Sequence, residues 1–86
     1  MEINFNDEHT EKTIMMLIYD RHYDIGTRRL MNFIEVAQSA TNIHDVLSLS
    51  CLKIESLGKG EFKINLFEKG NLKFHMSENN IDIISL

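Results

Sequence analysis

Between Gly58 and Met76 apolar and polar side chains alternate along two arms joined by a short polar break. A period of two marks strands with one buried and one wet face, so this stretch predicts a β-hairpin. On the first arm Phe62, Ile64 and Leu66 point one way, and Glu61, Lys63 and Asn65 the other. On the return arm Leu72, Phe74 and Met76 alternate with Lys73 and His75. A two-residue Lys69-Gly70 loop would set Leu66 against Lys73 and place a charge in the core. A three-residue loop, Glu68-Lys69-Gly70, keeps apolar opposite apolar, with Gly70 in the left-handed position. That register predicts Leu66 opposite Leu72, Ile64 opposite Phe74 and Phe62 opposite Met76. On the wet face it predicts Asn65 opposite Lys73 and Lys63 opposite His75.

The rest of the chain supplies helices and three more extended segments. Residues 2–6 alternate and read as a short first strand. Asp7 or Thr10 can cap a helix that begins among acids, as the macrodipole prefers, and runs to about Tyr23. Asp24-Ile25-Gly26 breaks it, with Gly26 read as a turn residue. A second helix, about Thr27 to Ser39, carries Leu30, Phe33, Ile34 and Ala37 at amphipathic spacing. Thr41 or Asn42 can cap a last turn through Leu47. Cys51 to Leu57 reads as an extended arm, and Ser77 to Asn80 as a turn. Ile81 to Leu86 is apolar on both faces, which predicts a central strand. The expected fold is α+β in the order β-α-α-β-β-β. One domain, residues 1–86, packs an N-terminal strand and a helical hairpin on a small, curved, mostly antiparallel sheet.

Charge changes this picture in one respect. The net charge is −4, which argues against broad nucleic-acid binding. Residues 1–50 hold eight acids and four bases, whereas residues 51–86 hold five of each. An anion-binding face therefore belongs to the sheet. There Lys63, Asn65 and Lys73 are candidate phosphate contacts, and Lys59, between Gly58 and Gly60, is a further one at the hairpin approach. His75 is the candidate for proton transfer, since imidazole gives and takes a proton near neutral pH. The competing reading is a solvated sheet face whose lysines keep strands from pairing with other chains. No metal-ligand spacing joins His9, His22 and His44, so neither metal nor cofactor is expected. The methionines, Met15, Met16, Met31 and Met76, read as pliable core. The lone Cys51 reads as core and suits a reducing cytoplasm. No apolar run approaches the roughly 20 residues that span a bilayer.

In this order the segments resemble the RelE/ParE toxin superfamily, and within it the HigB-like killer proteins of bacterial toxin–antitoxin operons. Met1-Glu-Ile-Asn-Phe5 looks like the opening strand. Arg28 to Val46 is similar to the second helix and the segment after it. Leu57-Gly-Lys-Gly-Glu-Phe-Lys-Ile-Asn-Leu66 looks like the family's "L-K-G" strand, and Asn71-Leu-Lys-Phe74 stands where the family writes "W-R-I-x-F". The resemblance implies a ribosome-dependent endoribonuclease (an mRNA interferase) without metal. A cognate helix-turn-helix antitoxin would hold it in check, and its partners would be ribosome and mRNA. Lys73 and His75 would then carry catalysis, with Lys59, Lys63 and Asn65 holding RNA.

The chain also departs from that pattern. Lys73 stands for an arginine, which loses the bidentate fork. Glu55 and Ser56 stand where basic residues are usual, and Ile84-Ser85-Leu86 where the family often writes Tyr-His. A second expectation follows: a catalytically degenerate homologue that binds an antitoxin or another protein. Whether the chain is an enzyme stays open at this point.

Overall fold

The computed structural model describes residues 1–19, 24–48 and 52–86. The elements are β1 (Glu2–Phe5), α1 (Glu8–Tyr19), α2 (Ile25–Ser39), α3 (Ile43–Leu47), β2 (Glu55–Gly58), β3 (Glu61–Asn65), β4 (Asn71–Met76) and β5 (Asn80–Ser85). A single 3₁₀ turn, Phe67–Lys69, joins β3 to β4. The expected extension of the first helix to Tyr23 and the reading of Cys51 lie outside the described residues.

Each helix starts where a side-chain oxygen replaces a missing carbonyl. Asp7 accepts from the Thr10 N–H at 2.7 Å, Asp24 from the Thr27 N–H at 2.8 Å and Asn42 from the Asp45 N–H at 3.1 Å. These bonds favour the ionised aspartates. The Thr10 N–H holds the Asp7 carboxyl below its ordinary range, and the Thr27 N–H does the same for Asp24. The Thr41 hydroxyl, 2.7 Å away, lowers Asp45.

The five strands form one sheet in the order β1-β5-β4-β3-β2, parallel between β1 and β5 and antiparallel elsewhere. This is the expected α+β arrangement, and β5 is the interior strand that its apolar run predicted. Helices cover one face. Leu30, Phe33 and Ala37 of α2 are fully buried against Ile64, Leu72, Phe74, Ile81 and Ile83 of the sheet. The Phe33 and Phe74 rings sit 4.7 Å apart between centroids, and Phe62 stacks on Phe74 at 5.9 Å. Contacts of this kind add about 0.5–1.5 kcal/mol to the area they bury.

Three expectations need correction. The β3–β4 register is shifted by two residues around a longer connection: Phe62 faces Phe74, Ile64 faces Leu72, Lys63 faces Lys73 and Glu61 faces His75. Parity was right, so the inward-facing set is right, with Phe62 only partly buried, but every pair moved by one rung. The connection runs from Leu66 to Gly70, closed by the Leu66 N–H on the Gly70 carbonyl at 2.7 Å. Gly70 has φ 93 and ψ −152, a mirror-extended conformation rather than the left-handed helical one. Gly26 is not in a turn. It is buried in the first turn of α2, where a Cβ would overlap the Leu66 carbonyl oxygen and lie 3.2 Å from Lys69 Cγ. The methionines divide: Met76 is core, whereas Met15 and Met16 are 41% and 71% exposed on α1. α1 buries only Thr10 and Ile14, which leaves that face of the helix in solvent.

Candidate functional site

The outer sheet face can be read rung by rung. One rung runs Glu55–Lys63–Lys73–Ser85 across β2, β3, β4 and β5. The next runs Glu61–His75–Asp82–Asn4 across β3, β4, β5 and β1. Lys63, Lys73 and His75 do therefore share one face on neighbouring strands. Their partners differ from those expected. Lys63 meets Lys73 on one side and Glu55 on the other, with Nζ 3.5 Å from the Glu55 carboxylate. His75 lies between Glu61 and Asp82, two carboxylate-bearing positions, and not opposite a lysine.

Each candidate has a definite setting. Lys73 is exposed and, among the described residues, has no carboxylate within ion-pair distance. His75 is half-buried beneath the β2–β3 turn, where a Cβ on Gly60 would come within 2.9 Å of its Nε2. Lys59 occupies that turn with φ 54, followed by Gly60 at φ 78. Positive φ at both central residues is what the type I′ two-residue hairpin turn requires, so Lys59 is fixed at a tight tip and not on a loop. Asn65 is committed to structure. Its side-chain oxygen accepts the Phe67 N–H at 2.7 Å, and its carbonyl accepts from Arg29 Nη1 at 2.9 Å.

The face is open and of mixed charge. Glu55, Glu61 and Asp82 stand among Lys63, Lys73 and His75, so a phosphate chain would meet acids on both rungs. Among the described residues no three His, Cys, Asp or Glu converge as a metal site needs. No described helix is long and apolar enough to cross a membrane.

A second constellation lies at the other end of the hairpin, and alternation alone did not reveal it. Phe67 follows buried Leu66 and so breaks the period of two, which was its signal in the sequence. The ring is held by Arg29, whose guanidinium carbon sits 4.5 Å from the ring centroid. Phe67 has φ 59, a conformation that costs a bulky residue about 1–3 kcal/mol. Beside it Lys69 Nζ sits 3.4 Å from the Asp24 carboxylate. A hollow of about 440 Å³ opens here, lined by Asp24, Ile25, Gly26, Arg28, Phe67 and Glu68.

No protein-family model matches the chain, and neither a characterised protein nor a solved structure does.

Proposed function

We propose that this chain is a protein-binding module on a RelE/ParE-like fold, the toxin-type half of a toxin–antitoxin pair that acts in the cytoplasm without cutting RNA. One observation carries the reading. Glu55 pairs with Lys63, and Glu61 and Asp82 flank His75, on the face that would have to hold a polyanion. RNA binding draws its affinity from uncompensated positive charge, and a face with as many carboxylates as cations supplies little. The overall charge of −4 acts in the same direction. The resemblance of residues 28–46 and 57–66 to the toxin superfamily supports a helix-turn-helix antitoxin as the partner.

The test is co-purification with the product of the adjacent reading frame. A stoichiometric complex is expected, together with normal growth and intact mRNA when this chain is expressed alone. Growth arrest with site-specific cleavage of ribosome-bound mRNA would refute the non-enzymatic reading.

A second reading, ribosome-dependent mRNA cleavage, is favoured by the closeness of Lys63, Lys73 and His75 on two adjacent strands. In it His75 moves the 2′-hydroxyl proton, while Lys63 and Lys73 face the charge that builds on the phosphorus oxygens. Lys59 would steer the RNA from the turn. This reading expects Lys73→Ala and His75→Ala each to relieve growth arrest.

A further inference from the structure

The hollow between the start of α2 and the 3₁₀ turn has the features of an interface. Its lining includes two of the chain's exposed large apolar side chains, Ile25 at 67% and Phe67 at 47% exposure. The ring is not there by relaxation. Its backbone sits at φ 59, and three contacts hold it: Asn65 on its N–H, Arg29 over its face, and Arg29 on the Asn65 carbonyl. An asparagine or glycine would occupy that conformation with less strain. A second hollow of about 270 Å³ adjoins the first and shares Ile25 and Arg28, so these two side chains form a ridge between two depressions.

Charge identifies the occupant. Arg28 stands on the helix wall and Glu68 on the turn wall of the same hollow. Among the described residues neither has a charged partner within ion-pair distance, whereas Asp24 is taken up by its cap and by Lys69. A nucleic acid would meet Glu68, and a strongly basic or acidic peptide would be opposed by one wall or the other. A patch with one positive wall, one negative wall and an apolar centre is complementary to itself. A two-fold axis passing between Arg28 and Glu68 sets Arg28 of each copy against Glu68 of the other, the isologous arrangement of most homodimers. We propose that this patch binds a second copy of the chain as a two-fold homodimer. A standard interface needs about 800 Å² from each partner, roughly one-seventh of the 5600 Å² that the chain exposes.

The test is sedimentation velocity over a concentration series. The wild-type chain is expected to dimerise at micromolar concentration. Arg28→Glu and Glu68→Arg should each raise the dissociation constant about tenfold or more. The double variant, with the charges exchanged, should return it to within a few-fold of wild type. Phe67→Asn should abolish the dimer while leaving the far-UV circular dichroism unchanged, because asparagine accepts positive φ. Met16→Lys, on the exposed face of α1, should have no effect. A wild-type chain that stays monomeric at hundreds of micromolar overturns the proposal. So does a dimer indifferent to both single charge reversals, a double variant that fails to recover, or a dimer dissolved by Met16→Lys.

Discussion

Gly26→Ala sets two elementary expectations against each other. Helix propensity alone makes alanine better than glycine by up to about 1 kcal/mol. Packing says the reverse, because the new methyl would overlap the Leu66 carbonyl oxygen and crowd Leu66 C at 3.1 Å and Lys69 Cγ at 3.2 Å. Two of those obstacles are backbone, so a rotamer change cannot relieve them. The start of α2 must withdraw from the turn by on the order of 1 Å, a displacement that close-packed interiors resist. Overpacking of this kind costs about 1–3 kcal/mol. Withdrawal also stretches the 2.9 Å bond from Arg29 to the Asn65 carbonyl and lifts the guanidinium off Phe67. Both contacts are solvent-exposed, so together they add about 1 kcal/mol. After the propensity gain, a net loss of about 1–3 kcal/mol remains. For a domain of this size that lowers the melting temperature by about 5–25 °C. Thermal and urea unfolding followed by circular dichroism measure it directly. A variant as stable as wild type, or more so, would refute the docking of α2 on the turn.

Other expectations concern the turn, the core and acid. Lys59→Asn should stabilise the chain by about 0.5–1 kcal/mol in urea unfolding, because Asn-Gly is the preferred pair where both central residues have positive φ; a loss would contradict that turn geometry. Phe33→Ala removes a fully buried ring packed at a tilt against Phe74 and should cost about 3–5 kcal/mol, enough to collapse near-UV dichroism and amide dispersion at 25 °C. Asp7, Asp24 and Asp45 ionise more readily folded than unfolded. Their contribution is therefore complete above about pH 4 and lost as pH falls through the lowered folded values. Asp24→Asn should flatten part of the acid loss of melting temperature, and an unchanged slope would count against the cap.

How much of this was legible in the sequence depended on the range of the signal. Period-two and helical spacing are local, so the strand faces, the α2 stripe of Leu30, Phe33 and Ala37, and the interior place of β5 could all be read. Register is set by the turn, and the turn was closed by groups that alternation does not encode. Asn65 captures the Phe67 N–H, Leu66 stays buried, and Gly26 of a distant helix packs on the Leu66 carbonyl. That one rung decides the chemistry of the candidate site. It turns a lysine opposite His75 into Glu61, and the uncharged Asn65 opposite Lys73 into Lys63. The acids on β2 and β5 were visible as residues, but their place beside the cations is a property of strand order. Met15 and Met16 were misread because apolar periodicity shows where a core can form, not whether a partner layer reaches it.

The parallel pairing of β1 with β5 also bears on how the chain acquires its structure. Ile3 lies beside Ile81, so the two halves of this ladder are 78 positions apart. Every other strand pairing in the sheet joins consecutive strands through a connection of a few residues. Hairpins β3–β4 and β4–β5 can form early, since short loops close in microseconds or less. β1 has to wait for a strand made almost a whole domain later, and its ladder carries the largest loop-closure entropy in the sheet. During synthesis Ile3 and Phe5 therefore lack their neighbours until residues beyond 80 are available. Joining β1 to β5 is therefore expected late in folding, and slowing it would lengthen the life of a four-stranded intermediate whose β5 edge is unpaired.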